Sequence, residues 1–275
     1  MAITAQDINK LRQITGSGMM DCKAALTEAE GDFDKAIDIL RKKGQKVASK
    51  RADRDTAEGC IIAKTTGDAK RGVVVMLNCE TDFVAVNAEF VALTNSIVDV
   101  ALASNAQTAE EVLTKDINGL PVSERIVEMV GKIGEKIQIG AYEMVNAEQV
   151  FTYIHPGNKL ASLVAINKNS ASFVELGKDL TMQTAAMAPV AIAEEDINPE
   201  ILVKEKEIAM DLARNEGKAE AMLEKIAMGR VSKFIKESTL LNQEFIKDSK
   251  STVAQHIATI DKDIKVVAMK RVALG

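Results

Sequence analysis

The chain has 275 residues, with 35 Lys and Arg against 40 Asp and Glu and a net charge of −5. That length supplies one large core or two to three small ones, and the mildly acidic balance argues against nucleic acid as the main partner, since phosphate binding rests on clustered Lys and Arg. Three scattered Cys (Cys22, Cys60, Cys79) and two His (His155, His256) offer neither zinc-ligand spacing nor a disulfide framework, so no metal and a reducing compartment are expected.

The first 54 residues read as a helical module. Thr4 can cap a helix with Ile8, Leu11 and Ile14 as its apolar positions, and Gly16-Ser17-Gly18 stops it. A second helix is expected from about Met19 to Ala29. Asp32 caps a third, with Phe33, Ala36, Ile37 and Leu40 on one face. Lys42, Lys43, Lys46, Lys50, Arg51 and Arg54 follow with almost no large apolar residue among them, and read as a solvated helix tail and linker.

The pattern then changes to strands. Cys60–Thr66 and Gly72–Asn78 are β-branched-rich runs flanking Gly67-Asp68, a strand pair. One long helix is expected from near Asp82, because Phe83, Val86, Phe90, Leu93, Ile97 and Val100 recur at spacings of three and four. Ser123 reads as the cap of a helix through Ile133, and Lys136–Val145 as a third strand. Val150–Ile154 and Leu160–Ile166 form a second strand pair across His155-Pro156-Gly157-Asn158. A helix over Ser172–Ala186 and a late strand over Ile264–Leu274 complete that unit. Between them Asn198-Pro199 starts a helix that ends at Gly217, and a second helix runs to about Glu237. The two make an antiparallel hairpin whose stripe of Ile201, Ile208 and Leu212 needs cover, from the other helix or from a second subunit. The fold class is α+β, with residues 1–54 as helical module and linker, 55–145 as one core subdomain, 146–187 with 238–275 as the other, and 188–237 as an inserted hairpin. No apolar run reaches the roughly 18–20 residues of a membrane span, and the start of the chain lacks a signal-peptide pattern, which predicts a cytoplasmic protein.

Catalytic signatures are thin. Gly16-Ser17-Gly18 lacks the preceding strand of a dinucleotide fingerprint, and the plentiful carboxylates show no distinctive spacing. Three features are unusual. Met19-Met20 follows a glycine turn, as an adaptable binding surface or as two core methionines. Thr81-Asp82-Phe83-Val84-Ala85 opens the long helix, with Phe83 either a first-turn core aromatic or a projecting wedge. Lys132-Ile133-Gly134-Glu135 ends a helix at a glycine.

Together these features carry a resemblance. The run Leu11-Arg12-Gln13-Ile14-Thr15-Gly16-Ser17-Gly18-Met19-Met20-Asp21-Cys22-Lys23 is similar to the opening motif of the elongation factor Ts family of bacteria. Cys79-Glu80-Thr81-Asp82-Phe83-Val84-Ala85, Ile133-Gly134-Glu135-Lys136-Ile137, Tyr153-Ile154-His155-Pro156-Gly157 and Leu240-Leu241-Asn242-Gln243-Glu244-Phe245 continue it in order. The resemblance implies a guanine-nucleotide exchange factor for GDP-bound elongation factor Tu, with no covalent chemistry and no cofactor. It implies a ubiquitin-associated-like N-terminal domain, two α+β core subdomains with small antiparallel sheets, and a coiled-coil hairpin that dimerises some members. In the family the Asp-Phe pair, here Asp82 and Phe83 flanked by Thr81 and Val84, wedges between two helices of the GTPase near its magnesium site. Met19, Met20 and Lys23 match docking positions of the N-terminal domain, and Ile133, Gly134 and His155 match further contacts. Val86 stands where many relatives carry Lys or Arg: either a charge contact is lost or Val86 joins the buried stripe. Gly140-Ala141 stands where relatives often have a basic residue. Two rival readings predict different things: an adaptor would bind through residues 1–54 alone, and an enzyme would show a polar cleft between the subdomains.

Overall fold

The computed structural model describes residues 3–275; Met1 and Ala2, at the start of the expected helical module, lie outside the described residues. Three helices open the chain: α1 (Ala5–Thr15), α2 (Met19–Glu28) and α3 (Phe33–Lys50). Thr4 and Asp7 form a reciprocal capping box at α1, Gly16 takes the left-handed conformation that ends it, and Asp32 caps α3. Leu11, Cys22, Ala25, Leu26 and Ala36 make the small core of these helices. Ile14, expected on the buried face, is exposed. The basic stretch is a helix tail with Lys42, Lys43, Lys46 and Lys50 exposed, as expected, and it is anchored on one side. It continues α3 to Lys50, with only its outer side in water: Gly44 is buried and Val47 and Ala48 pack on the neighbouring core.

The remainder is built in layers. Strands β1 (Glu58–Thr65), β2 (Arg71–Cys79) and β5 (Gln138–Asn146) form one antiparallel sheet in the order β1-β2-β5. Strands β6 (Gln149–Ile154), β7 (Leu160–Ile166) and β10 (Val266–Ala273) form another in the order β10-β7-β6. The period-2 alternation of strands decides what each face meets. Cys60, Ile62, Val73, Val75 and Leu77 face helices α5 (Ala88–Ser104) and α7 (Val122–Ile133), forming one core with Phe90, Ile97, Ile126 and Val130. Their neighbours Ile61, Ala63 and Val74 face the second sheet's Val150, Ala161, Leu163, Ala165 and Val272. The far face of that sheet, through Val164 and Ile166, packs on helices α8 (Val174–Met187) and α11 (Val253–Ile260). Helices thus cover both outer faces of two stacked sheets, which explains why β1, β2 and β7 are apolar on both sides. The α+β class holds.

Four local findings refine the sequence reading. The helix near Asp82 is two helices, α4 (Asp82–Ala85) and α5, because Asn87 takes an extended conformation and its side chain accepts the Glu89 and Phe90 amides. Ser123 lies inside α7, whose N-cap is the extended Pro121. Gly140 is the extra residue of a bulge between β2 and β5, and a Cβ there would overlap the Asn78 side chain. The sequence pattern also missed short elements: α6 (Ala109–Leu113), the β3 (Asp116–Ile117) and β4 (Leu120–Pro121) hairpin, and the β8 (Glu244–Phe245) and β9 (Asp248–Thr252) hairpin.

The inserted hairpin is α9 (Pro199–Asn215) and α10 (Glu220–Ser238), each about 25 Å long or slightly more at about 1.5 Å per residue. Ala209, Ala213, Leu223 and Ala227 close its seam. Its root is pinned where Val190 donates to the Ser238 carbonyl and Leu240 to that of Ala191, at 2.8 and 2.9 Å. Buried Gln183 and Gln243 complete the root: Gln183 Nε2 donates to Gln243 Oε1, and Gln243 Nε2 donates to the Met187 and Glu237 carbonyls. Helix α10 does not cover Ile201, Ile208 and Leu212, which remain exposed.

Candidate partner-binding surface

Strand β2 ends at Cys79, and the chain turns a corner before α4. That corner leaves amides without sheet or helix partners, and Glu135 supplies them. Its Oε2 accepts from the Glu80 and Thr81 amides at 3.1 and 3.0 Å, and its Oε1 accepts from the Thr81 hydroxyl at 2.7 Å. Thr81 Oγ1 in turn accepts from the Val84 amide at 3.5 Å and caps α4. Glu80 points the other way, accepting from the Lys136 amide at 2.7 Å and from Arg51 Nη1 at 2.8 Å. The Lys136 amide, helped by the Arg51 guanidinium, holds the Glu80 carboxyl below its usual range. Two carboxylates from opposite sides therefore cross-link this corner to the end of α7.

What the corner presents is Phe83. Ala85 is buried and Val84 packs on the sheet–helix core, which turns Phe83 outward, 82% exposed. Fully burying a Phe is worth roughly 1.5–3 kcal/mol, so the fold leaves that free energy unclaimed. Val86 is also exposed and does not join the buried stripe of α5. Asp82 is exposed beside it. The Lys159 ammonium is held above its usual range chiefly by Glu58, 2.9 Å away, with a smaller contribution from Asp82. Lys159 belongs to the β6–β7 turn, where His155 is exposed and its Nδ1 lies 3.0 Å from the Tyr153 hydroxyl. The turn is tied to β1 by the Ile61 amide, which donates to the Asn158 carbonyl at 2.7 Å.

The remaining sequence candidates lie on α2 and at the end of α7. Met19 and Met20 occupy the first turn of α2, both exposed, so they are not core methionines. Lys23 is exposed one turn on, while Cys22 and Leu26 take the inner face. Ile133 is half-buried against the α5 core, and Gly134 ends α7 in the left-handed conformation (φ 83°). Lys132 connects the groups. Its ammonium pairs with Glu89 in the first turn of α5, and its side chain lies over Gly16 so closely that a Cβ there would overlap it. The end of α7 thus touches both the α1–α2 turn and the α4–α5 corner. Sequence reading missed Lys132, Glu135 and Glu80 as supports, because their partners lie 29 to 56 residues away and Gly134-Glu135 looks locally like an ordinary helix end.

Little here supports bond-making chemistry. Burial pushes the Cys79 thiol up to about 12, with the Glu135 charge adding to it, and burial also raises Cys60. A cavity of about 280 Å³ lies between α3, α7 and the β3–β4 hairpin, not between the two sheets. Its charged groups are already matched: Arg41 and Arg125 with Glu128 at 3.5 and 3.0 Å, and Lys43 with Asp21. Among the described residues no helix is long and apolar enough to cross a membrane.

The family model described as Elongation factor TS matches residues 80–275, from the Glu80 corner to the end of the chain. The chain belongs to the elongation factor Ts family. Relatives extend the likeness through the N-terminal helices. The elongation factor Ts of Christiangramia forsetii is 52% identical over 273 residues, covering 99% of each chain. That of Amoebophilus asiaticus is 52% identical over 276 residues and the whole of both chains, and that of Porphyromonas gingivalis 46% over 277, covering 100% of this chain and 99% of its own. The family is one of translation elongation factors.

Proposed function

We propose that this chain is a guanine-nucleotide exchange factor that binds GDP-bound elongation factor Tu and releases the nucleotide without covalent chemistry, with Phe83 as the wedge. The observation that carries the reading is an apolar ring 82% exposed on a four-residue helix that is stapled in place by Glu135. A solvent-exposed Phe on a mobile loop would be a poor wedge. One on a fixed turn can enter a packed partner and shift it between discrete arrangements.

Physically, exchange requires a ternary complex in which nucleotide and factor weaken each other by the same factor. A GTPase holds its nucleotide through phosphate-loop amides, a Lys and magnesium, and displaced helices disturb those contacts. Inserting Phe83 recovers the roughly 1.5–3 kcal/mol that its exposure forgoes, enough for a tenfold or larger change at about 1.4 kcal/mol per decade. Asp82 positions the ring, and Thr81 and Val84 frame it. Met19, Met20 and Lys23 supply a second contact, and Ile133, Gly134 and His155 a third. In this reading residues 1–54 are a ubiquitin-associated-like docking domain, 55–145 and 146–187 with 238–275 are the core subdomains, and 188–237 is a coiled-coil insertion. Its exposed stripe of Ile201, Ile208 and Leu212 serves a second copy of the chain.

The test is stopped-flow release of a fluorescent GDP analogue from a cognate elongation factor Tu. Acceleration by several orders over the unassisted rate supports the reading. Unchanged release with stable binding through residues 1–54 alone would replace it with the adaptor.

A further inference from the structure

We propose that Glu135 is a positioning residue for exchange: its carboxylate fixes the turn that carries Phe83, and without it the wedge loses force while docking survives. The inference rests on the exchange reading above and deepens it. Helix α4 spans only Asp82–Ala85, too short to hold itself, since a first helical turn is a costly nucleus that few hydrogen bonds repay. Asn87 then breaks the chain out of helix, so α5 cannot stiffen α4 by continuity. Local support is the Thr81 cap, the Cys79 thiol donating to the Thr81 carbonyl, the turn's own backbone bonds, and the packing of Val84 and Ala85.

Two carboxylates add restraint from outside: Glu80 ties the corner to the Lys136 amide and Arg51, and Glu135 alone reaches the cap of α4 itself through the Thr81 hydroxyl. Its two oxygens accept three hydrogen bonds from two consecutive residues, Glu80 and Thr81, immediately before α4. Bonds to an ionised acceptor are the strong kind, and a bidentate arrangement fixes orientation as well as distance. The same Thr81 hydroxyl that donates to Glu135 accepts from the Val84 amide, so cap and staple form one continuous network. Glu135 follows Gly134 directly, and the left-handed glycine turns the chain so that the carboxylate meets the corner, not the helix axis. Lys132, one turn earlier, reaches Glu89 and the Gly16 turn. The end of α7 therefore sets the angle of Phe83 relative to a body that also carries the docking turn. Ordering the corner in advance removes a cost that would otherwise fall at the moment of insertion, which is when a wedge must be stiff.

The experiment measures GDP-analogue release against factor concentration, separating the maximal rate from the half-saturating concentration, for wild type, Glu135→Ala, Glu135→Gln, Phe83→Ala and Glu135→Ala/Phe83→Ala. Gln keeps one oxygen for the two amides and can donate from Nε2 to the Thr81 hydroxyl, so it preserves most of the network. The expected result is about a tenfold lower maximal rate for Glu135→Ala, with half-saturation within about twofold, by analogy with misplacement of a fixed reacting group. Glu135→Gln should stay within about threefold of wild type, and Glu135→Ala should add less than about twofold in the Phe83→Ala background, as coupled sites do. Hydrogen exchange in the free protein provides a readout independent of exchange activity: the Glu80 and Thr81 amides should exchange about tenfold faster or more in Glu135→Ala, while core strands stay protected. A full maximal rate in Glu135→Ala, or the same loss in both backgrounds, overturns the proposal and leaves the exchange reading standing. Failure of the wild type to accelerate release removes both.

Discussion

Phe83 and Phe90 stand seven residues apart, a spacing that would put both on one face of a continuous helix. One is 82% exposed and the other is fully buried at the centre of the α5 core. The difference lies in Asn87. Its extended backbone ends one helical segment, and its side chain starts the next by accepting the Glu89 and Phe90 amides. Phe90 then follows the stripe of Leu93 and Ile97 inward, while Phe83 belongs to a separate turn whose inward position is filled by Ala85. Two supports differ in kind as well. Phe90 is held by dispersion and burial, which are non-directional. The Phe83 turn is held by directed hydrogen bonds from Glu135, which leave the ring itself free.

Breaking the buried side of this pair should have the largest effect on stability. Phe90→Ala removes a fully buried ring and should cost about 3–5 kcal/mol, read as a lower urea midpoint with an unchanged slope. Next comes the seat of the N-terminal helices on α7. The two helices touch at Gly44 and Gly131, where a Cβ on Gly131 would sit 2.9 Å from the Gly44 Cα. Gly131→Ala gains helix propensity of about 0.5–1 kcal/mol but forces the backbones apart at about 1–3 kcal/mol. The net loss should show as faster proteolysis near Arg51–Arg54 with the sheets intact. Asn87→Ala is smaller, about 1 kcal/mol for a lost N-cap. It sharpens the comparison most, because hydrogen exchange should show protection lost at Glu89 and Phe90 and retained at Ile97.

How far the sequence reveals this depends on the range of the interaction. Strand pairs were legible because the β-branched-rich runs at Ile61–Ile62 and Val73–Val75 flank a local turn signal at Gly67-Asp68, and the hairpin because Asn198-Pro199 and Gly217 are unambiguous stops. The stacking of the two sheets was not, since Ile61 and Leu163 carry no mark of facing each other. The helix near Asp82 misled for a definite reason: Phe83, Val86 and Phe90 keep helical spacing, and a single Asn outweighs it by satisfying two amides. Phe83, Met19 and Met20 were visible as candidates through their motifs, but their exposure depends on tertiary packing. Glu135 was legible only as the residue after a helix-ending glycine, because its partners are 54 and 55 residues away.

The fold keeps Phe83 out of its own core, and on the exchange reading this leaves the ring free to act in another protein's. Phe83→Ala tests both halves at once. Thermal unfolding should be unchanged within about 0.5 kcal/mol, as for a surface substitution. GDP release from elongation factor Tu at saturating factor should slow by at least about thirtyfold, the loss expected of an aromatic hot spot worth about 2 kcal/mol or more. A variant that unfolds early would put Phe83 in the core after all, and one that releases GDP at the wild-type rate would contradict the wedge.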